Sequence, residues 1–302
     1  LAALALFLTL LITRISRYIP IVRDRIIAVT IFGIFTVFFF AFFEQSLGSM
    51  TLFARDYTDR NLVGNSAMIF KVFDALLTTV PLIIITWVIF LLTKKTFSRI
   101  GLSNIVLTIA FIGVWSLVFY RLVDKFSQVG NQIDATWFGI LNSFFIITLA
   151  PLFSKWWESK YNPTANMKYA IGMFLLALGM ACVAFGAGGI DAGAKTASVS
   201  MIWLILVYLF HTLGELCISP VALSLVSKLS PARMIAFMFG VYYLAVAIGM
   251  KLAGVFGENV DKIADEKGIS YFFWMLTLIA AILGVFSMVM QPVIRKRMHG
   301  VR

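Results

Sequence analysis

Cysteine and histidine are nearly missing from this chain. Its two cysteines, Cys182 and Cys217, both fall in apolar runs, and no C-x-x-C pair or metal-ligand spacing occurs. That removes a disulfide framework and a redox dithiol, and leaves the thiols as apolar filling. The two histidines are His211 and His299, too few to complete a three- or four-ligand site with Glu215, so no metal is expected. No G-x-S-x-G elbow occurs and Ser219 has no His or Lys base on its helical face within one turn, which argues against a serine hydrolase; no catalytic residue is assigned and the chain reads as no enzyme.

Charge is scarce too. Only 13% of the 302 residues are charged while 61% are hydrophobic, and that much apolar surface exceeds what a soluble core can hide. Runs long enough to span about 30 Å of hydrocarbon recur at Ile26–Phe53, Ser66–Leu92, Ser103–Leu122, Ala135–Phe153, Tyr169–Gly189, Val199–Leu225, Met234–Gly257 and Tyr271–Met290. The fold class expected is all-α integral membrane, with about eight crossings of the lipid bilayer. Leu1–Ile12 is apolar, too short to span and followed by basic residues, the reverse of a signal peptide, and reads as the cut end of a longer chain.

The net charge of +11 does not call for nucleic acid. Basic residues concentrate in alternate connections: Arg14 to Arg25, Lys94 to Arg99, Lys155 to Lys168, Lys228 and Arg233, and the tail from Arg295. This positive-inside pattern places both termini in the cytoplasm.

Polar groups at membrane depth need partners, because lipid offers none. A carboxylate mid-helix costs about 2.5–3.5 kcal/mol on insertion scales. Glu215 is such a residue, and His211, Glu215 and Ser219 recur at four-residue spacing, which predicts one polar face turned to a bundle interior or a watery cavity or, alternatively, a polar cluster joining helices. Pro220 follows and frees the carbonyl of Leu216, predicting a kink. Glu44 follows a run of phenylalanines with no cation within a turn, so a group from another helix or a proton must neutralise it; it is a proton-coupling candidate. Lys71 and Asp74, three apart, are expected to pair with each other. Ala245, Gly249, Ala253 and Gly257 form a small-residue packing stripe, and Lys251 points elsewhere, either to a carboxylate or to the interface.

Four motifs resemble the C-terminal half of proton-dependent oligopeptide transporters of the major facilitator superfamily. They are Phe42-Phe43-Glu44-Gln45; Trp137-Phe138-x-x-Leu141-Asn142-x-x-Phe145 with Leu149-Ala150-Pro151; Gly214-Glu215-Leu216-Cys217-Ile218-Ser219-Pro220; and Ala247-Ile248-Gly249-x-Lys251-Leu252-Ala253-Gly254. The resemblance covers Ile26–Ala54 and Ala135–Gln291. It implies a C-terminal six-helix bundle of a major facilitator fold over 26–302, with an inserted helix pair at 66–122 and a truncated helix end and cytoplasmic basic linker at 1–25. It further implies alternating-access symport of di- or tripeptides with protons, no cofactor beyond the coupling proton, and residence in the bacterial cytoplasmic membrane. By this resemblance Glu44 couples the proton, Asn142 and Ser219 line the peptide site, and Glu215 receives the peptide α-amino group.

The chain departs from the family pattern in places. Tyr242 stands where a Trp is usual and is assigned to the aromatic wall of the site, and Met250 stands where an Asn is usual. The N-terminal six-helix half, with its E-x-x-E-R motif, is not in this sequence, so the cavity is expected to be incomplete without that partner. The alternatives from the residues are a non-transporting membrane sensor or scaffold with a transporter-like bundle, or a carrier of another small molecule on the same fold. A scaffold could replace Glu44 and Glu215 with leucine and gain stability, which counts against it.

Overall fold

A computed structural model describes Thr9, Thr13, residues 18–128 and residues 130–301. The reading of Leu1–Ile12 therefore lies, apart from Thr9, outside the described residues. The chain divides into two compact units, one of residues 1–59 with 134–302 and one of residues 60–133.

In the larger unit the apolar runs become helices α1 (Pro20–Phe43), α2 (Ser49–Asp56), α4 (Ile140–Glu158), α5 (Ala165–Gly186), α6 (Ile202–Leu229), α7 (Ile235–Glu258), α8 (Val260–Lys267) and α9 (Ile269–Arg297). The stretch α1–α2 and helices α4, α5, α6, α7 and α9 are each long and apolar enough to cross a membrane, giving a six-helix bundle. Their starts follow local chemistry: Pro20 opens α1 where its missing N–H costs nothing, and Thr164 caps α5 by accepting from the Met167 amide at 3.3 Å. Helix α6 continues through Pro220 to Leu229 as one element.

Close backbone approach holds the bundle. Helices α5 and α6 meet glycine to glycine, and a Cβ on Gly214 would lie 2.9 Å from the Gly172 carbonyl oxygen. Tyr169 of α5 is fully buried with its hydroxyl 3.2 Å from Thr36 Oγ1 of α1. Asn166 and Ser287 join α5 to α9, where Ser287 Oγ donates to the Asn166 carbonyl at 3.2 Å. Helix α7 lies on α1 through Ala245, Gly249 and Ala253, all buried; Gly257 is half-buried with open space where its Cβ would stand, so the packing stripe ends one turn earlier than its spacing predicts.

A Cβ on Gly249 would sit 2.6 Å from the Val37 carbonyl oxygen and 2.8 Å from Phe40 Cβ, and backbone cannot yield there as a flexible side chain would. Gly249→Val is accordingly expected to cost about 1–3 kcal/mol or more, seen as a lowered Tm of the purified full-length protein. Gly257→Val should leave Tm unchanged; equal effects of the two would contradict this packing.

The smaller unit is a helical hairpin. Its helical stretch α3 (Asn65–Ser127) breaks at Ile100, whose φ of −136° and ψ of 45° are not helical, so the two expected spans fold back on each other. Thr96 and Asn104 pair beside the turn with Asn104 Nδ2 3.1 Å from Thr96 Oγ1, and Trp115 Nε1 donates to Thr86 Oγ1 at 3.0 Å further along. At the open end Lys125 binds Asp74 and Lys71 donates to the Gln128 carbonyl. The expected Lys71–Asp74 pair is therefore replaced, because the second helix brings Asp74 a cation across the hairpin. Strands β1 (Asn61–Leu62) and β2 (Asn131–Gln132) close the base, with Asn61 opposite Gln132.

Candidate functional site

Glu44 stands where α1 stops being an α-helix. The chain tightens into a 3-10 turn over Glu44–Leu47, and Gly48, at φ −112° and ψ −102°, breaks it before α2 begins. Irregular backbone at membrane depth survives only where other protein groups take up its polar atoms. Here Gln45 Nε2 donates to the Ala41 and Ala253 carbonyls, both at 3.1 Å, and Ser49 Oγ donates to Gln45 Oε1 at 2.7 Å. The Ser46 carbonyl accepts from Thr51 Oγ1 at 2.8 Å and Tyr208 OH at 3.2 Å. Gln45 thus ties the broken helix to α7. The Glu44 side chain is half-buried and has no hydrogen bond or ion pair among the described residues.

Asn142 lies in the first turn of α4, behind a 3-10 turn over Ala135–Gly139 that Asp134 caps by accepting from the Thr136 amide at 2.9 Å. Its Nδ2 donates to Glu215 Oε2 at 3.3 Å, while its Oδ1 lies 2.6 Å from Thr212 Oγ1. Thr212 Oγ1 is also 2.7 Å from the Tyr208 carbonyl, so one hydroxyl proton serves two acceptors. These contacts fix the amide with its NH2 towards the carboxylate. The single long hydrogen bond leaves Glu215 with most of its acceptor capacity free for a donor arriving from outside.

The polar stripe on α6 divides between the bundle interior and the Asn142–Glu215 pair. His211 is 1% exposed, with its ring 6.0 Å from that of Phe43 and pressed on Gly179, where a Cβ would come within 2.8 Å of its Cδ2. Both ring nitrogens are buried without a hydrogen-bond partner among the described residues. His211 is therefore packed into the bundle, away from the Asn142–Glu215 pair. The α6 groups joined to Asn142 by hydrogen bonds are Glu215, Thr212 and, through Thr212, Tyr208. Thr212 and Tyr208 escaped the sequence reading, although Thr212, three residues before Glu215, lies on the same helical face.

Ser219 lies one turn beyond Glu215 with its Oγ buried and unpartnered among the described residues. Tyr242 is 6% exposed and turned into the bundle, where it lines a small cavity with Thr36, Tyr169 and Val226. Its ring packs edge-on, 5.3 Å from that of Tyr243, which carries the exposed aromatic surface of α7. Lys251 is exposed and pairs with no carboxylate among the described residues.

A family model described as PTR2, POT family, matches residues 114–275. The chain is 35% identical over 183 residues to the uncharacterized transporter YclF of Bacillus subtilis, covering 59% of this chain and 35% of that one. It is 36% identical over 142 residues to the peptide transporter YePEPT of Yersinia enterocolitica, covering 46% and 27%. These matches span about a third of the relatives' own length. In fold it is similar to a POT family transporter solved in complex with a thioalcohol-conjugated peptide, with TM-score 0.65 at 19% identity, covering 95% of this chain and 46% of that one.

Proposed function

The chain belongs to the POT family, whose members are transporters, and from that premise we propose that it forms the C-terminal wall of a proton-coupled di- or tripeptide symporter. The observation that carries this reading is the Asn142–Glu215 pair: a carboxylate in an apolar helix, oriented by one amide and otherwise free to accept. An ammonium group entering a low-dielectric cavity needs a fixed anion of this kind, and a peptide's α-amino group supplies that cation whatever its side chains are. Ser219 offers a further hydroxyl one turn along α6, and Tyr242 backs the same wall from α7.

Glu44 is the proton carrier in this proposal. It has no fixed partner among the described residues and sits at a helix break, so a proton on it and an ammonium on Glu215 each remove a negative charge from the same wall. The facing wall is a second six-helix bundle of the same protein, and the site opens to each side in turn. The basic connections face the cytoplasm of a bacterial cell whose inner membrane holds the protein.

Full-length protein in liposomes with an inward proton gradient is expected to accumulate labelled dialanine, and a protonophore to stop it. Uptake indifferent to the gradient would contradict the coupling, and lack of dialanine binding would contradict the substrate class.

Thr212 gives a finer test. Thr212→Val keeps the shape but leaves Asn142 Oδ1 without its hydroxyl, at a cost of about 1–2 kcal/mol, so dialanine should bind roughly 5- to 30-fold more weakly with Tm little changed. Titration calorimetry reads this directly, and unaltered affinity would detach Thr212 from the site.

A further inference from the structure

A second cavity, of about 680 Å³, opens where the end of α4, the start of α5, the second half of α6 and the end of α9 converge. Its lining carries Lys160, Lys168, Lys228 and Arg295 and no Asp or Glu. One of these cations is unusual. Lys168 is 8% exposed, its Nζ lies 4.1 Å above the Trp157 ring, and no acceptor or carboxylate meets it among the described residues.

Lys168 is buried along its stem while its ammonium meets no acceptor among the described residues, so it presents an unpaired cation to the cavity where a ligand can supply the oxygens. The same lining includes the apolar side chains of Pro220, Val221, Leu225 and Ile294. The space exceeds a bare inorganic anion and is walled by cations and apolar groups together. Basic pockets between membrane helices recognise anionic headgroups by this combination.

We propose that this cavity binds a phosphate group, with the Lys168 ammonium as its inner donor and Lys160 and Arg295 at its mouth. The phosphate of an anionic lipid and free phosphate share this chemistry, and the experiment separates them.

Full-length protein would be titrated with dioleoylphosphatidylglycerol and followed by native mass spectrometry, with and without sodium phosphate as competitor. A parallel thermal melt would be run in sodium phosphate and in sodium chloride of equal ionic strength. One retained lipid is expected in the wild type, bound about fivefold more weakly by Lys168→Gln and unchanged in Lys94→Gln, a basic residue of the α3 hairpin. Lipid retention indifferent to inorganic phosphate assigns the site to a headgroup. Competition together with phosphate-specific stabilisation, both lost in Lys168→Gln, assigns it to the free anion.

Retention equal in Lys168→Gln and wild type, or weakened as much by Lys94→Gln, would overturn the proposal. Should Lys168→Gln fail to fold, the doubly substituted Lys160→Gln, Arg295→Gln protein takes its place: both residues are exposed, and wild-type retention there would overturn it equally.

Discussion

Glu215→Gln, made in the full-length protein, is expected to weaken binding of a dipeptide with a free amino end by about 30-fold or more. Truncating one partner of a buried, hydrogen-bonded charge pair costs about 2–5 kcal/mol, and 1.4 kcal/mol is a decade in affinity. Glutamine preserves volume, and its Oε1 can still accept from Asn142 Nδ2, so the α4–α6 contact survives and Tm should stay near the wild-type value. The loss therefore reports the missing charge. Titration calorimetry with dialanine measures it, and wild-type affinity in the folded variant would remove Glu215 from the recognition of the amine.

The second large effect concerns Glu44. Glu44→Gln is expected to abolish accumulation of peptide against its gradient under a proton gradient, while counterflow exchange of labelled for unlabelled peptide continues. The reasoning is that glutamine holds the geometry of the 3-10 turn, whose hydrogen bonds run through Gln45, Ser46 and Ser49, yet carries no titratable proton. Gradient-driven accumulation by Glu44→Gln at the wild-type level would place the proton elsewhere. Loss of both uptake and counterflow, with Tm preserved, would give Glu44 a part in the cavity beyond proton transfer.

The crossings were legible because lipid imposes its own ruler: a run of about 20 apolar residues has little choice but to span. The hairpin of α3 was readable for the same reason, since Lys94, Lys95 and Arg99 interrupt the apolar run just before the break at Ile100. What the sequence could not supply is which neighbour claims each face. His211 and Thr212 flank the direction of Glu215 on the helical wheel, one about 40° and the other about 60° away at 100° per residue. Periodicity cannot choose between them. The neighbours do: Gly179 and Phe43 leave a slot that an imidazole fills, and Asn142 offers a carbonyl that only a hydroxyl meets.

The same limit explains Asp74, which looked one turn along its own helix for a cation and found Lys125 on the next. Tyr242 and Tyr243 are adjacent, and motif position alone pointed to the first; the packing of α7 on α1 buries Tyr242 and exposes Tyr243. Gly257 fits the small-residue spacing, but the contact it would serve ends at Ala253, whose carbonyl takes the Gln45 amide.

Whether Glu215 receives the amino group of the substrate is tested most directly by a double-mutant cycle across protein and ligand. Affinities of dialanine and its N-acetyl derivative would be measured for the full-length protein and for Glu215→Gln. Acetylation is expected to weaken binding to the wild type by about 30-fold or more and to have little further effect on Glu215→Gln, because both changes remove the same charge pair. Equal losses on acetylation in the two proteins would mean that the amine and the carboxylate never meet.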